Sequence, residues 1–321
     1  MSEVQQLNAT VSDELAGQRL DRVLAQLFSD FSRARLQQWV SDGAVLVDGR
    51  LLRSKDKLRG GEQIEISVVI EEEVDSQPEA IPLDIVYEDE ALLVINKPVG
   101  LVVHPAAGNR DGTMLNALLH HAPELATVPR AGIVHRLDKD TSGLLAVARN
   151  LKSQKSLSEQ IQRHNFEREY QAVVCGVMTA GGDVDAPIGR HPTVRTRMAV
   201  VGSGKAARTH YRVLKRYRAH THVRVQLETG RTHQIRVHMA HIRHPIVGDQ
   251  VYGGRLRIPR RCSEPLAEML RGFRRQALHA AKLGLTHPDS GEVMVWQAPL
   301  PQDMTALLQM LDDDLKQMAA E

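Results

Sequence analysis

The chain has 321 residues, 42% of them hydrophobic and 25% charged, with a formal net charge of +2, long enough for two domains with a sizeable core. The near-neutral total hides an uneven distribution: residues 190–261 hold 17 Lys and Arg against only Glu228 and Asp249, which points to a polyanionic partner, nucleic acid above all. Two cysteines, Cys175 and Cys262, exclude a disulfide framework, and no apolar run approaches the ~18 residues of a membrane span. Residues 1–10 are polar and lack an apolar signal core, so a cytoplasmic protein without membrane contact is expected.

A first unit is expected over residues 16–75. Leu20, Val23, Leu24, Leu27 and Phe28 recur at helical spacing. Ser32 suits the cap of a second helix carrying Leu36, Trp39 and Val40, with Gly43 as its stop. Asp48-Gly49 between Val45-Leu46-Val47 and Arg50-Leu51-Leu52 predicts a hairpin with a two-residue turn. Ile64-Glu65-Ile66-Ser67-Val68 alternates like a strand, and Arg33, Arg35, Arg50, Arg53, Lys55, Lys57 and Arg59 make the unit basic. Two helices and a small sheet of this charge resemble the alpha-L RNA-binding domain of the S-four type. Residues 71–79 are acidic and contain Pro78; they read as a linker that ends over residues 76–80.

The second unit, residues 81–321, mixes strands and helices without a regular βα rhythm. Ile85-Val86-Tyr87 and Leu92-Leu93-Val94-Ile95 predict paired strands, and residues 143–148 a buried one. Asn150 is placed to cap a helix carrying Leu157 and Ile161. Residues 169–177, 208–214 and 223–227 are further strands, Asp289-Ser290-Gly291 turns a late hairpin, and Pro301 starts a last helix. The expected class is α+β, with a mostly antiparallel mixed sheet.

The chemistry concentrates in Ala131-Gly132-Ile133-Val134-His135-Arg136-Leu137-Asp138-Lys139-Asp140-Thr141-Ser142-Gly143. One carboxylate, Asp138, stands between Arg136 and Lys139, and neighbouring cations favour its ionised form. An ionised carboxylate on a short loop suits a nucleophile or an electrostatic stabiliser better than a proton donor. Two other segments share this density of polar and turn residues: Asn96-Lys97-Pro98-Val99-Gly100-Leu101-Val102-Val103-His104-Pro105, and Thr229-Gly230-Arg231-Thr232-His233-Gln234-Ile235-Arg236-Val237-His238. The latter reads as a strand turning into a helix, with Arg231, Ile235, His238 and Ile242 on one face and Thr229 or Thr232 as cap. Tyr170, one of only 11 aromatic residues, lies beside a basic strand. His233, His238, His241 and His244 lack the HExxH spacing, and Arg236 and Arg243 would oppose a divalent cation, so no metal site is expected.

Together with Gly248-Asp249 and Tyr252-Gly253, these three segments resemble the RluA/RluD family of RNA pseudouridine synthases, over essentially the whole chain. The resemblance implies that Asp138 attacks the target nucleotide after its uracil is flipped out of the RNA. It implies that Tyr170 stacks on the base and assists proton transfer at carbon 5, and that Arg231 pairs with Asp138. Arg136 would occupy the space around the flipped base, and Ile235 would pack beside the tyrosine. His135, Leu137 and Thr232 would line the substrate site, and Arg33, Arg35, Lys55 and Lys57 would hold RNA phosphates. The resemblance, which includes the domain order, implies a large-subunit target: uridines of 23S rRNA in the helix 69 stem-loop, met free or in pre-large-subunit particles. A monomer is expected.

The chemistry agrees with that expectation. Pseudouridylation breaks an N-glycosidic bond, turns the uracil and rejoins it through carbon, so no redox cofactor or metal is required. Flipping a base costs a few kcal/mol and calls for a stacking partner. The alternatives are the same reaction at another rRNA or tRNA site, and a non-catalytic RNA-binding ribosome-assembly factor that would need neither Asp138 nor Tyr170. A glycoside hydrolase would need a second acid facing Asp138, and Asp140 is too near in sequence to face it.

Overall fold

The computed structural model describes residues 4–28, 31, 33–69, 76–105 and 109–320. Ser32 and residues 70–75, the expected helix cap and most of the expected acidic linker, lie outside them. In the N-terminal unit, strand β1 (Val4–Thr10) precedes helices α1 (Leu20–Leu27) and α2 (Arg33–Ser41), followed by β2 (Val45–Val47), β3 (Arg50–Leu51) and β4 (Gln63–Val69). The sheet order is β1-β4-β2-β3, all antiparallel. At the β2–β3 turn both Asp48 and Gly49 take positive φ, the requirement that Asp-Gly meets, and the Asp48 carboxylate also accepts the Gln63 N–H at 2.9 Å. Leu20, Val23, Leu24, Leu36, Ile64 and Ile66 fill the core between helices and sheet.

Strand β1 lies before the boundary expected at residue 16. Its sequence, Val-Gln-Gln-Leu-Asn-Ala-Thr, is too polar to announce a strand, and its order comes from seven residue pairings with β4. The far end of the expected linker also departs from a free tether. The Asn116 side chain donates to Gln77 O at 2.8 Å, and Glu79 N donates to Asn116 O at 3.0 Å, which pins that end to the second unit.

The second unit is built on a nine-stranded sheet. Strands β5 (Ile85–Glu88) and β6 (Leu92–Lys97) form the first hairpin, and helix α3 (Met114–His121) follows, capped by the Thr113 hydroxyl. Next come β7 (Ser142–Ala148), α4 (Leu151–Gln162), β8 (Glu167–Cys175), β9 (Gly182–Asp185) and the small pair β10 (Ile188–Arg190) and β11 (Met198–Val200). Strands β12 (Arg208–Arg216) and β13 (His220–Leu227) lead to helices α5 (Gln234–His241) and α6 (Glu264–Gly272). Strands β14 (Leu278–Thr286) and β15 (Val293–Gln297) and the long helix α7 (Gln302–Ala320) complete it. The order is β5-β6-β7-β14-β8-β13-β12-β9, with β15 on β14, and the pairing of β7 with β14 alone is parallel. This is the mostly antiparallel mixed sheet expected of the α+β class.

Strand β7 is buried along its whole length because it has core on both faces. Leu145 and Val147 join the large cluster with α3, whereas Leu144, Ala146 and Ala148 join a second cluster with Leu157 of α4. Asn150 caps α4 by accepting the Ser153 N–H at 2.9 Å. Among the described residues no helix is long and apolar enough to cross a membrane.

Candidate active site

The loop carrying Asp138 enters β7, and two glycines fix its ends. A Cβ at Gly132 (φ +75°) would sit 1.8 Å from Ala148 O, and one at Gly143 (φ +113°) would sit 2.2 Å from Ala280 O. Only glycine lets the chain approach the neighbouring strands this closely. Between them, Thr141 N donates to Asp138 O at 3.0 Å and closes a turn. Arg275 and Gln276 hold the turn from below, donating to Asp140 O at 3.3 Å and to the Thr141 hydroxyl at 2.9 Å.

Lys97 fastens the other side. Its side chain is completely buried, and its ammonium donates to Pro98 O at 2.7 Å, Leu101 O at 3.0 Å and Lys139 O at 2.9 Å. Gly100 N adds a bond to the same Lys139 carbonyl at 3.0 Å. Burial pushes the Lys97 ammonium down to about 8, against the pull of Asp140 and Asp138. The segment starting at Asn96 therefore acts as a clamp on the Asp138 loop.

The Asp138 carboxylate stands 17% exposed at the end of this scaffold. Arg236 of α5 donates to its Oδ2 through Nη1 at 3.0 Å. The same guanidinium donates through Nε and Nη2 to Asp249 at 2.7 and 2.9 Å, and its plane lies 5.0 Å from the Tyr252 ring centroid. Asp249 is fixed in turn by the N–H groups of Val251 and Tyr252, both at 2.9 Å. Burial works against the Arg236 charge, but the bonds to Asp249 and the two carboxylate charges outweigh it and hold its pKa above the ordinary value. A permanently charged, rigidly braced cation thus orients one oxygen of Asp138. The other oxygen, Oδ1, is 3.8 Å from His233 Nε2.

Tyr170 lies on β8 between Val225 of β13 and Ala280 of β14. It belongs to the same buried cluster as Leu137 and Ile235, which gives the site an apolar floor suited to a flat ring. Burial raises the Tyr170 hydroxyl above its usual value; Arg168 lowers it and Asp138 raises it further, so the phenol stays protonated at neutral pH. Arg168 is itself buried under the 228–230 turn, donating to Glu228 O at 3.5 Å.

Three expectations are corrected by this geometry. Arg231 does not pair with Asp138: it lies before α5, is exposed, and donates through Nε to Ala206 O at 3.1 Å. Helix α5 starts at Gln234, so the turn that would have carried Arg231 onto its face is not helical, and Arg236 makes the pair instead. Neither Thr229 nor Thr232 caps α5. His233 precedes the helix in a left-handed conformation (φ +57°), while the buried Gln234 organises the loop, accepting from the Thr229 hydroxyl at 2.8 Å and from Arg231 N at 3.0 Å. His135 turns inward: its Nε2 accepts the Ala146 N–H at 2.9 Å, its ring packs edge-on to Phe166, and burial with nearby Arg168 pushes it down to about 3. It braces β7 rather than facing a ligand. Thr232 and Arg136 are exposed, and Arg136 is close enough to His233 to act on its charge.

In the N-terminal unit, the fully buried Asp21 draws the basic residues together. It accepts from Arg33 at 2.5 Å and Arg19 at 3.1 Å, and its N–H donates to Ser54 O at 3.0 Å, which sets the loop carrying exposed Lys55 and Lys57 beside α1. Arg35 lies 5.6 Å from the Trp39 ring centroid. Among the described residues, no group of three or more His, Cys, Asp or Glu is placed to hold a metal ion. His238 bonds Thr209 and Ala186, and His244 bonds Cys175 O. Arg236, Asp249, His233, Lys97 and Tyr252 are site residues that sequence reasoning missed, although all lie in segments it had singled out.

A family model described as RNA pseudouridylate synthase matches residues 91–241, and an S4 domain model matches residues 18–64. The chain is 58% identical to the ribosomal large subunit pseudouridine synthase D of Escherichia coli, over 99% of this chain and 98% of that one. It is 56% identical to the protein of the same name from Pseudomonas aeruginosa, over 98% of each. Among solved structures, human RNA pseudouridylate synthase domain containing 4 is similar, with a TM-score of 0.56 at 27% identity, covering 71% of this chain and 92% of that one.

Proposed function

The chain belongs to the RNA pseudouridylate synthase family and is an isomerase; from that premise we propose that it converts uridine to pseudouridine in 23S ribosomal RNA, in the cytoplasm, at the helix 69 stem-loop. The observation that carries the assignment of the centre is the partly exposed Asp138 carboxylate, oriented by a buried Arg236 that Asp249 locks, beside the floor of Tyr170, Leu137 and Ile235.

The target uracil leaves the helix stack and enters between Asp138 and this floor, with Arg136 filling the space around it. Asp138 attacks the sugar or the base as the bond between N1 and the sugar breaks. Arg236 keeps the carboxylate in one orientation, which lowers the entropy cost of attack. The freed uracil turns. Its carbon 5 bonds to the sugar as the bond to Asp138 breaks and returns the free carboxylate. The carbon 5 proton passes to the Tyr170 oxygen as that hydroxyl gives its own proton to solvent, which also supplies the proton to N1. N1 ends protonated, so atoms and electrons balance without a cofactor.

Affinity comes from phosphate contacts. Arg33, Arg35, Lys55 and Lys57 of the N-terminal unit grip the RNA, as does the cationic stretch over residues 190–261. A loop is the economical target, because weakly paired bases cost least to flip.

Mapping pseudouridines in 23S rRNA from cells with and without the gene tests the reading. Loss confined to the helix 69 loop, restored by the wild-type chain but not by Asp138→Asn, is the expected outcome. Full modification there with loss elsewhere would overturn the target, and no loss at any rRNA position would overturn rRNA as the substrate.

A further inference from the structure

We infer that His233 is a positioning residue for Asp138: a neutral imidazole, fixed in one tautomer by the Tyr252 hydroxyl, that presents its Nε2–H to the carboxylate oxygen Arg236 leaves free. The inference rests on the reading of Asp138 as the reacting carboxylate.

His233 occupies left-handed backbone space, and no side-chain hydrogen bond of its own caps the helix it precedes. Such a conformation is strained in a residue other than glycine and persists where surrounding contacts enforce it. Those contacts are specific. The Tyr252 oxygen accepts the Met198 N–H at 2.9 Å and lies 2.8 Å from His233 Nδ1, with the two rings edge to face at 5.6 Å. A phenol has one proton to donate. Among the described residues no other acceptor for it is within bonding distance, so it goes to Nδ1. The imidazole proton then resides on Nε2, which faces Asp138 Oδ1 at 3.8 Å. That separation is longer than a hydrogen bond and short enough for a small rotation of Asp138 to close it.

The charges around His233 explain why neutrality matters. Asp138 and Arg136 face it from the loop, Arg236 from α5, and Asp249 and Tyr252 from the turn that follows. Burial lowers its proton affinity, Asp138 and Asp249 oppose that, and Arg236 and Arg136 add to it. A second proton on the ring would make an imidazolium that binds Oδ1 as an ion pair and holds back the oxygen the substrate needs. The Tyr252 hydroxyl, by donating to Nδ1, favours the neutral ring. The hydrogen bonds from the Met198 N–H through Tyr252 to His233 therefore point the ring's Nε2 at the reacting group, across a gap of 3.8 Å.

Single-turnover rates of release of the carbon 5 hydrogen, on a uridine-labelled 23S rRNA fragment, test this between pH 5.5 and 8.5. RNA affinity and melting temperature are measured alongside. Tyr252→Phe is expected to bind RNA within about twofold of wild type, but to lose rate on the acid side with a midpoint at least half a pH unit higher. His233→Gln keeps a donor where Nε2 stood and cannot titrate; it is expected to lack that raised limb and to exceed His233→Ala about tenfold in rate. Asp138→Asn serves as the control: if it is active, the reading of Asp138 fails, whatever His233 does. If it is inactive while Tyr252→Phe follows the wild-type profile, or while His233→Gln and His233→Ala turn over equally, the inference about His233 fails alone. Should Tyr252→Phe not fold, the comparison of the two His233 variants decides.

Discussion

Replacing Arg236 by lysine separates a braced guanidinium from mere positive charge. Arg236 is nearly buried, and the Asp249 side chain it holds is entirely so. Its fork supplies three charged hydrogen bonds, two to Asp249 at 2.7 and 2.9 Å and one to Asp138 at 3.0 Å. A lysine ammonium is a point donor that reaches one carboxylate or the other, not both edges at once. Hydrogen bonds to charged groups contribute about 1.5–3 kcal/mol each. The loss of two, with Asp249 still receiving the Val251 and Tyr252 N–H groups, comes to about 3 kcal/mol, at the low end of the range for breaking a buried pair. For a domain of this size the melting temperature falls by about 6–12 °C. Release of Asp138 from its orientation costs a further ~100-fold in single-turnover rate. Arg231→Lys is the matched control: an exposed side chain bonded to one carbonyl, it should shift stability by less than ~0.5 kcal/mol. Thermal unfolding and single-turnover release of the carbon 5 hydrogen measure both effects. An Arg231→Lys variant more damaged than Arg236→Lys in either assay would refute the pairing.

Tyr170→Phe should keep RNA affinity but slow turnover, whereas Tyr170→Ala should lose both, since stacking on a base is worth ~1–3 kcal/mol; equal, near-normal kinetics would make Tyr170 purely structural. For Lys97, the folded ammonium titrates near 8 against an ordinary 10.5. Between those values the folded chain holds fewer protons than the unfolded one, so the group's contribution to stability rises with pH there and is flat below. The unfolding free energy of wild type minus Lys97→Met should therefore climb by about 3 kcal/mol between pH 8 and 10.5; a flat difference in urea titrations would contradict the buried charge. Removing two phosphate contacts with Lys55→Ala and Lys57→Ala should make the salt dependence of RNA affinity shallower by about 1–2 in log-log slope, and an unchanged slope would take both lysines out of the interface.

Much of the fold is legible in residue patterns because local rules and tertiary context agree there. The Asp48-Gly49 turn, the Asn150 cap and the strand over residues 142–148 each carry their own signal. Strand β1 does not, because its polar alternation becomes a strand only by pairing with β4. In the site, Asp138 stands out through its loop chemistry, and its flanking glycines are required because a Cβ at either would meet, at 1.8 and 2.2 Å, a backbone oxygen of Ala148 or Ala280, far along the chain. The cation that meets it is harder to read. Arg231 and Arg236 lie in one motif, and the resemblance, carried over residue by residue, gave the pairing to Arg231; a left-handed residue at His233 delays the helix, leaves Arg231 before it and exposed, and Arg236 makes the pair. The roles of Lys97 and Tyr252 depend on carbonyls and side chains brought together by the fold, which no local spacing encodes.

The central claim is that Asp138 performs uridine isomerisation, and Asp138→Asn tests it most directly, because the amide keeps the size of the carboxylate and removes its charge and nucleophilicity. In a single-turnover assay on a helix 69 fragment, with RNA affinity measured in parallel, the variant should bind within about threefold of wild type and form no pseudouridine. Turnover within about tenfold of wild type would contradict the account.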